Sequence, residues 1–334
     1  INVFFIDRTV GQGGFAGSEM AVTYNDRAYA GGNLHELLVH EAVHVLDRQF
    51  APQRIKILAE GTAVWASGGH YKSENLDQRA AALLQLGRYI PLSYLADNFY
   101  ITQHEIGYLQ AGAFVKYLID QFGYPTYREF YSDTTASDAE TEARSLDINL
   151  QTYYDASLAE LEAEWLSYLE SLPRDETEIA DLETTIRYYE VMRSYQQQYD
   201  PTAHFLTAWL PNLLDVQQEG NPADLTRHPQ KEINVTLEVM LKNAEAALGE
   251  QELVRANVIL DSIERILSEN GAFADPLSSS FLDIVQTATA FGYEVQNIDL
   301  QGDAAKVLAT SASGVRLTEL DFERRRGDWI LRPN

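Results

Sequence analysis

The sequence contains no cysteine, which excludes a disulfide framework, a thiolate metal site and a cysteine nucleophile. Any metal ion would therefore depend on histidine, aspartate and glutamate. Basic residues are also scarce, since 25 Lys and Arg stand against 50 Asp and Glu and the net charge is −25. Such a chain repels the phosphates of nucleic acids and anionic lipid headgroups, so we do not expect nucleic acid as a partner.

Long hydrophobic runs are missing too. No apolar run reaches the roughly 18 residues that suggest a membrane span, so the sequence predicts no span in this chain. The chain begins at Ile1 rather than Met, which is typical of a chain from which a leader segment has been removed. We therefore expect an extracytoplasmic or secreted protein. The sequence carries no signal for the oligomeric state.

The 334 residues are 45% hydrophobic and 22% charged, a composition that can bury sizeable cores. At roughly 150 residues per domain, the length favours two domains. Pro173 is followed by the charged run RDETE, and a helix breaker next to a charge run indicates a boundary. We therefore predict domains at residues 1–172 and 173–334.

The hydrophobic pattern predicts an α+β fold that is mainly helical. Short apolar runs at residues 2–6 and 20–24 indicate a small N-terminal sheet, and alternation after Gly292 indicates a small antiparallel sheet at the C-terminus. The last helical stretch is expected to divide near Gly249 into a hairpin. The stretches with helical spacing are residues 33–51, 55–67, 78–86, 108–121, 158–172, 176–198 and 236–270.

The first predicted helix contains the motif His40-Glu41-Ala42-Val43-His44. Histidines at positions i and i+4 point to one side of a helix, where both imidazoles can bind a single zinc ion. The glutamate after the first histidine then lies beside water on that metal, the position of a general base. The alternative is an ordinary helix with two surface histidines.

A third ligand is expected, because a catalytic zinc takes three protein ligands and leaves one position to water. Glu60, in the stretch LAEGTA, lies on the next predicted helix after a connection long enough to reverse direction. The pattern thus predicts one Zn²⁺ per chain, bound by His40, His44 and Glu60. An ordinary helix glutamate is the alternative for Glu60.

Here the sequence resembles the gluzincin metallopeptidases, whose pattern is His-Glu-x-x-His followed on the next helix by a glutamate ligand, often as Glu-Gly. The stretch YLQAGAFVKYL, which begins at Tyr108, is similar to the family helix that opens with a tyrosine facing the oxyanion. The stretch LAELEAEWLSYL, from Leu158, resembles the helix that closes the peptidase domain in the branch called peptidase MA-like. The likeness covers about residues 1–172. Only fifteen residues separate His44 from Glu60, fewer than in the best-known members.

The resemblance implies a zincin-like catalytic domain that hydrolyses peptide bonds in a polypeptide substrate. It assigns Glu41 as the general base and Tyr108 as the hydrogen-bond donor to the oxyanion, and it makes residues 20–24 the edge strand that aligns an extended substrate. The Gly-x-Met-Glu-Asn motif with which related aminopeptidases hold a free amino terminus is absent. We therefore expect an endopeptidase, although Glu19 or Glu105 would be able to replace the missing carboxylate.

Several residues keep two interpretations. Asp47 lies seven residues after His40, a rise of about 10.5 Å, which is too far for a third ligand. It is either an acceptor that orients a histidine or a surface charge. His70 and His104 either face the cleft or have no part in the site. Tyr108 is the oxyanion donor or one more core aromatic residue.

Two rival functions follow from the sequence. The stretch GQGGFA at residues 11–16 fits the dinucleotide-binding fingerprint, but residues 17–24 lack the helical periodicity that a pyrophosphate site requires, so we expect a flexible loop beside the cleft. The second rival is a non-catalytic exported binding protein that keeps a relic metal site.

Overall fold

The structure is a computed structural model that describes residues 1–6, 14–17, 19–23, 34–70, 72–200, 231–311 and 317–332. The described residues contain twelve α-helices, a 3₁₀ turn at Phe99–Ile101 and seven β-strands, which confirms a mainly helical α+β fold. The helices are α1 Leu34–Asp47, α2 Lys56–Ser67, α3 Leu76–Gln85, α4 Leu92–Asn98, α5 His104–Phe122, α6 Tyr124–Asp133, α7 Glu142–Tyr154, α8 Leu158–Ser171, α9 Glu176–Gln198, α10 Glu232–Gly249, α11 Leu253–Ser268 and α12 Pro276–Ala290. The strands are β1 Val3–Ile6, β2 Gly14–Ala16, β3 Met20–Thr23, β4 Tyr293–Gln301, β5 Ala304–Ser311, β6 Leu317–Arg325 and β7 Asp328–Leu331.

The chain forms two compact units. The first consists mainly of the N-terminal strands and residues 34–186, and the second consists mainly of the described residues from Arg187 onward. The division therefore falls inside α9, whereas the boundary predicted at Pro173 precedes this helix. In the ranges that the structure covers, no helix combines the length and the apolar character needed to cross a membrane.

The helical periodicity located most of the helices, and the last predicted stretch forms the hairpin of α10 and α11, with α10 ending at Gly249 as expected. Four helices were not predicted: α4, α6, α7 and α12. The start of α12 reads as a turn, because Asp275 and Pro276 precede a run of serines. Asp275 in fact caps the helix by accepting hydrogen bonds from the backbone amides of Leu277 and Ser278, and Pro276 occupies the first turn, where its missing N–H costs nothing.

Two glycines allow α2 and α5 to pack closely in the core of the first unit. A Cβ atom on Gly61 would lie 2.7 Å from the carbonyl oxygen of Ala111, and a Cβ on Gly112 would collide with a side chain of α2. Only residues without side chains fit at such a contact. The close packing fixes α2, which carries Glu60, against α5, which carries Tyr108.

The three N-terminal strands form a sheet in the order β1-β3-β2. β2 pairs antiparallel with β3, with Phe15 opposite Ala21, and the buried Val22 of β3 packs on Leu37 of α1. The expectation that residues 20–24 form an edge strand is therefore wrong, because β3 lies between two partners. Tyr24 lies outside the described residues. Among the described strands, β2 is at the edge beside α1.

The second unit packs its helices against a four-stranded antiparallel sheet in the order β4-β5-β6-β7, which confirms the C-terminal sheet predicted from the alternating pattern. In β5, Ala305, Val307 and Ala309 are buried while their neighbours are more exposed, as expected for a strand with one face on a core. These residues join a hydrophobic cluster with Ile263 of α11 and Phe281 of α12.

Candidate metal centre

Helix α1 places His40 and His44 side by side. Both side chains are buried, and their Nε2 atoms lie 3.3 Å apart. The spacing of four residues brings them to one face of the helix, as the sequence predicts. The end of α1 is held by Arg54, which donates to the carbonyl oxygen of His44 at 3.3 Å and pairs with Asp47 at 3.2 Å. The two imidazoles are thus fixed on a rigid element.

Glu60 of α2 completes the group. Its Oε2 atom lies 3.3 Å from Nε2 of His40 and 3.2 Å from Nε2 of His44, and the residue is 7% exposed. The shortened connection between α1 and α2 is therefore long enough to bring the carboxylate onto both rings. We refer to His40, His44 and Glu60 as the ligand triangle.

The dimensions of the ligand triangle fit a zinc ion. Four ligands arranged tetrahedrally at about 2.0–2.1 Å from zinc lie about 3.3–3.4 Å from one another, and the three separations here are 3.2–3.3 Å. Among the described residues, this is the group of histidine and acidic side chains found close enough together to hold a metal ion. Two imidazoles and one carboxylate, with a position left over, also match the donor set of a catalytic zinc site.

The pKa values of the triangle depend on burial and on the contacts among its three side chains. Burial lowers the pKa of His40 to about 4, so this ring is neutral near pH 7. Burial also lowers the pKa of His44, but the Glu60 carboxylate outweighs burial and raises that pKa above its ordinary value. Burial raises the pKa of Glu60, yet both histidines together hold it well below its usual range. A divalent cation binding here would compete with protons for these groups.

Glu41 lies next to the triangle without being part of it. The residue is 2% exposed, and its Oε2 atom has no hydrogen-bond partner among the described residues. Burial raises the pKa of Glu41 to about 8. A buried carboxyl group that lacks a protein partner is costly, and a pKa near neutrality is what a general base requires. The geometry therefore suits the role that the sequence assigns to Glu41.

The strand β2 approaches Glu41 closely. A Cβ atom on Gly14 would lie 2.5 Å from Oε1 of Glu41, so a side chain at this position would displace the carboxylate. Residues 14–16 were expected to belong to a flexible loop beside the cleft. They lie beside the site but form a strand, and residues 11–13 lie outside the described residues.

Tyr108 is buried beside the triangle. Its ring lies 6.1 Å from the ring of His40, between centroids, and is 4.7 Å from His70, 4.3 Å from His104 and 5.1 Å from Phe99. We refer to Tyr108, His70, His104 and Phe99 as the ring cluster. The structure brings Tyr108 to the candidate centre, and it places the two histidines that had open interpretations around that tyrosine.

A buried carboxylate holds one histidine of the ring cluster. Nδ1 of His70 lies 2.6 Å from Oε2 of Glu105, and both side chains are almost completely buried. Burial lowers the pKa of His70 to about 4, so this ring is neutral at pH 7. The contact with Glu105 fixes the plane of the His70 ring, on which Tyr108 stacks.

The backbone at His70 is anchored by a second acidic residue. Glu74 accepts a hydrogen bond from the backbone N–H of His70 at 3.0 Å through Oε2, while Oε1 lies 2.7 Å from Nη2 of the buried Arg79. Arg79 also pairs with Asp181 of α9 at 2.5 Å. Because each charge has a partner, this network can remain buried without a large penalty. It fixes the segment that brings His70 to Tyr108.

Tyr100 is a residue of the site that the sequence pattern does not single out. It lies in the 3₁₀ turn between α4 and α5, and its hydroxyl donates a hydrogen bond to Oε1 of Glu60 at 2.7 Å. Burial and the neighbouring carboxylate raise the pKa of Tyr100, so the phenol remains a donor. No motif marks such a position, because the contact depends on how the turn packs against α2.

Asp47 fits neither of its two interpretations. Its carboxylate accepts a hydrogen bond from the hydroxyl of Tyr131 at 2.6 Å and pairs with Arg54 at 3.2 Å. It is only 2% exposed, so it is not a surface charge. These partners show that Asp47 supports the end of α1 through Arg54 and Tyr131, and only indirectly the ring of His44.

Comparisons with protein-family models, with curated proteins and with solved structures gave no match to this chain.

Proposed function

We propose that this chain is a zinc metallopeptidase of the gluzincin type. The observation that carries the proposal is the ligand triangle, in which two imidazole nitrogens and one carboxylate oxygen lie 3.2–3.3 Å from one another. The buried Glu41 lies beside this triangle. The order of the residues along the chain, with His40-Glu41 one turn before His44 and Glu60 on the following helix, is that of the family the sequence resembles.

When bound, zinc supplies a Lewis acid that lowers the pKa of coordinated water and polarises the scissile carbonyl group. Glu41 takes the proton of the attacking water and later returns it to the leaving amine. Its position supports this part, because Glu41 is buried beside the triangle and its Oε2 atom has no hydrogen-bond partner among the described residues.

Tyr108 donates a hydrogen bond to the oxyanion that develops as the carbonyl carbon becomes tetrahedral. Such a donor stabilises the transition state by a few kcal/mol (about 2.7–4) when it is preorganised. The ring cluster supplies the preorganisation, since His70 and His104 enclose the Tyr108 ring at 4.7 and 4.3 Å between centroids.

An extended peptide substrate is proposed to lie along β2. Among the described strands, β2 pairs only with β3, and an exposed strand edge binds an extended chain through backbone hydrogen bonds. Gly14 at the start of β2 touches Glu41, so a peptide paired with this strand would cross the general base.

The residues available to bind a free amino terminus favour endopeptidase action. Glu105 is buried and engaged with His70, so it does not face a substrate ammonium group. Glu19 accepts a hydrogen bond from the side chain of Asn2 at 2.7 Å. An ammonium group in a desolvated cleft needs a carboxylate partner. The carboxylates of Glu105 and Glu19 already contact other side chains.

The test compares two peptides of one sequence, one with a free and one with an acetylated amino terminus, by mass spectrometry. We expect internal cleavage of both peptides, loss of cleavage with a zinc chelator and recovery when zinc is restored. Glu41→Gln is expected to keep zinc but to lose about 10²–10⁴-fold in kcat, whereas Glu164→Gln, an exposed position on α8, serves as the control.

Two outcomes contradict the proposal. A wild-type protein that binds zinc but cleaves no peptide would favour a binding protein with a relic site. Cleavage of the free peptide alone, one residue at a time from its amino terminus, would make the enzyme an aminopeptidase. The extracytoplasmic location stays a prediction.

A further inference from the structure

The two oxygens of the Glu60 carboxylate have different surroundings. Oε2 lies 3.3 and 3.2 Å from the imidazole nitrogens of His40 and His44, whereas Oε1 accepts the hydrogen bond from Tyr100 at 2.7 Å. Glu60 is 7% exposed, so water has little access to either oxygen. The tyrosine thus satisfies the oxygen that faces away from the triangle.

This arrangement has consequences for metal binding. A carboxylate can bind a metal through one oxygen or both, and a hydrogen bond to one oxygen favours binding through the other. Ligands that are oriented by an outer hydrogen bond bind metal more tightly, because less freedom is lost on binding. An unsatisfied carboxylate oxygen in a buried site would destabilise the folded protein.

The position of Tyr100 is hard to explain by packing alone. The residue is 50% exposed, as is typical of a surface tyrosine, and the next residue, Ile101, is 78% exposed. Only the hydroxyl end of Tyr100 reaches the buried carboxylate. A side chain that leaves much of its ring in solvent but places its polar end on a proposed metal ligand contributes mainly through that hydrogen bond.

We propose that Tyr100 is a positioning residue that holds Glu60 so that Oε2 alone faces the metal. This inference rests on the proposed metal centre. It assigns Tyr100 a different task from Tyr108, which acts on the substrate. Tyr100 sets metal affinity and limits Glu60 to one oxygen atom on the metal. Because the second oxygen would not bind, one position on the metal would be left for water.

The experiment measures zinc affinity in Tyr100→Phe by competition with a chromophoric chelator, starting from metal-free protein. We expect affinity to fall by about 10–100-fold, the usual cost of removing an outer hydrogen-bond partner of a ligand. Tyr94→Phe is the matched control, because Tyr94 lies on α4 and is 54% exposed. Its zinc affinity should equal that of the wild type, and circular dichroism melting should show that both variants fold.

A second measurement separates positioning from a general structural effect. In cobalt-substituted protein, binding of Glu60 through both oxygens would raise the coordination number and weaken the visible absorption bands. We expect this change in Tyr100→Phe and not in Tyr94→Phe.

Three results would overturn the inference or its basis. Equal zinc affinity in Tyr100→Phe and the wild type would refute the role of Tyr100. A weaker affinity with an unchanged cobalt spectrum would make Tyr100 a stabiliser of the local fold and not a positioning residue. Absence of zinc binding by the wild type would instead refute the metal centre itself.

Discussion

The ligand triangle and the ring cluster lie side by side, yet they differ in chemistry. The triangle brings two imidazole nitrogens and a carboxylate oxygen to 3.2–3.3 Å from one another, a concentration of acceptor atoms that requires a proton or a cation among them. The ring cluster packs aromatic rings against one another, with Tyr108 4.3 Å from His104 and 4.7 Å from His70 between ring centroids. Its contacts need no ion.

The site therefore contains two kinds of preorganisation. The triangle is held by charges that favour a metal, so damage there should appear first as lost affinity. The ring cluster is held by packing and fixes one hydroxyl group, so damage there should appear as lost turnover with the metal still present. Variants of single residues can separate loss of metal affinity from loss of turnover.

The largest effect is expected from His40→Ala. Loss of an outer hydrogen-bond partner lowers metal affinity by about 10–100-fold, and removing one of three ligands should lower it further. Zinc content should therefore fall from about one per chain to almost none, and hydrolysis should disappear. Elemental analysis after gel filtration measures the content. His35→Ala, an exposed position on the same helix, should keep its zinc. An unchanged zinc content in His40→Ala would show that the ligand triangle is not the zinc site.

Tyr108→Phe tests the other part of the site. The hydroxyl acts chiefly on the transition state, so we expect kcat to fall by about 10²–10³-fold with KM and zinc content nearly unchanged. Tyr117→Phe is the control, since Tyr117 is a buried tyrosine on the same helix. An effect below about threefold would return Tyr108 to the role of a core aromatic residue.

The triangle and the ring cluster also differ in how far the sequence predicts them. His40 and His44 follow from helical spacing alone, and Glu60 follows from its place on the next helix. Tyr108 was proposed only through the family resemblance. Nothing in the local pattern shows that His70, after α2, and His104, at the start of α5, meet on that tyrosine, because their contact depends on how α2 and α5 pack.

The same limit applies to the fold. Periodicity reveals amphipathic helices such as α1 and α9, but it does not reveal α12, whose start is fixed by the Asp275 cap and by Pro276. It also does not reveal strand order. The run at residues 20–24 was recognised as a strand, yet the central place of β3 depends on long-range pairing with β1 and β2.

Gly14→Ala tests the general base beside the ligand triangle without removing any ligand. The new methyl group would lie 2.5 Å from Oε1 of Glu41, so the carboxylate must move. A shift of about 1 Å in a reacting group can cost up to about 10²-fold, and we expect kcat to fall by about 10- to 10²-fold while zinc affinity stays constant. Gly17→Ala is the control, because among the described residues its Cβ would meet only Arg48, at 3.7 Å.

A fall in zinc affinity in Gly14→Ala would contradict this expectation, since it would show that β2 supports the ligands and not only the general base. Equal kcat values in the two glycine variants would mean that Glu41 can move without a loss of activity. Either result would be visible in a single titration with zinc followed by a peptide-cleavage assay.

The smallest effect concerns the protonation of His70 in the ring cluster and is measured on stability. Burial lowers the pKa of His70 from 6.5 to about 4, so above pH 6.5 both folded and unfolded chains carry a neutral ring and no stability is lost. As the pH falls from 6.5 toward 4, the unfolded chain takes up a proton that the folded chain does not, and the free energy of unfolding decreases by at most about 1.4 kcal/mol per pH unit.

His70→Phe removes this proton while it keeps an aromatic ring beside Tyr108. Between pH 7 and pH 5 the metal-free variant should therefore lose less stability than the metal-free wild type, by up to about 2 kcal/mol, in urea unfolding followed by circular dichroism. The values at pH 8 report the effect of the substitution itself on packing and on Glu105, because the histidine is neutral in both states there. Parallel losses in the two proteins would show that His70 takes up its proton in the folded state, and the ring cluster would then be a charged region like the ligand triangle.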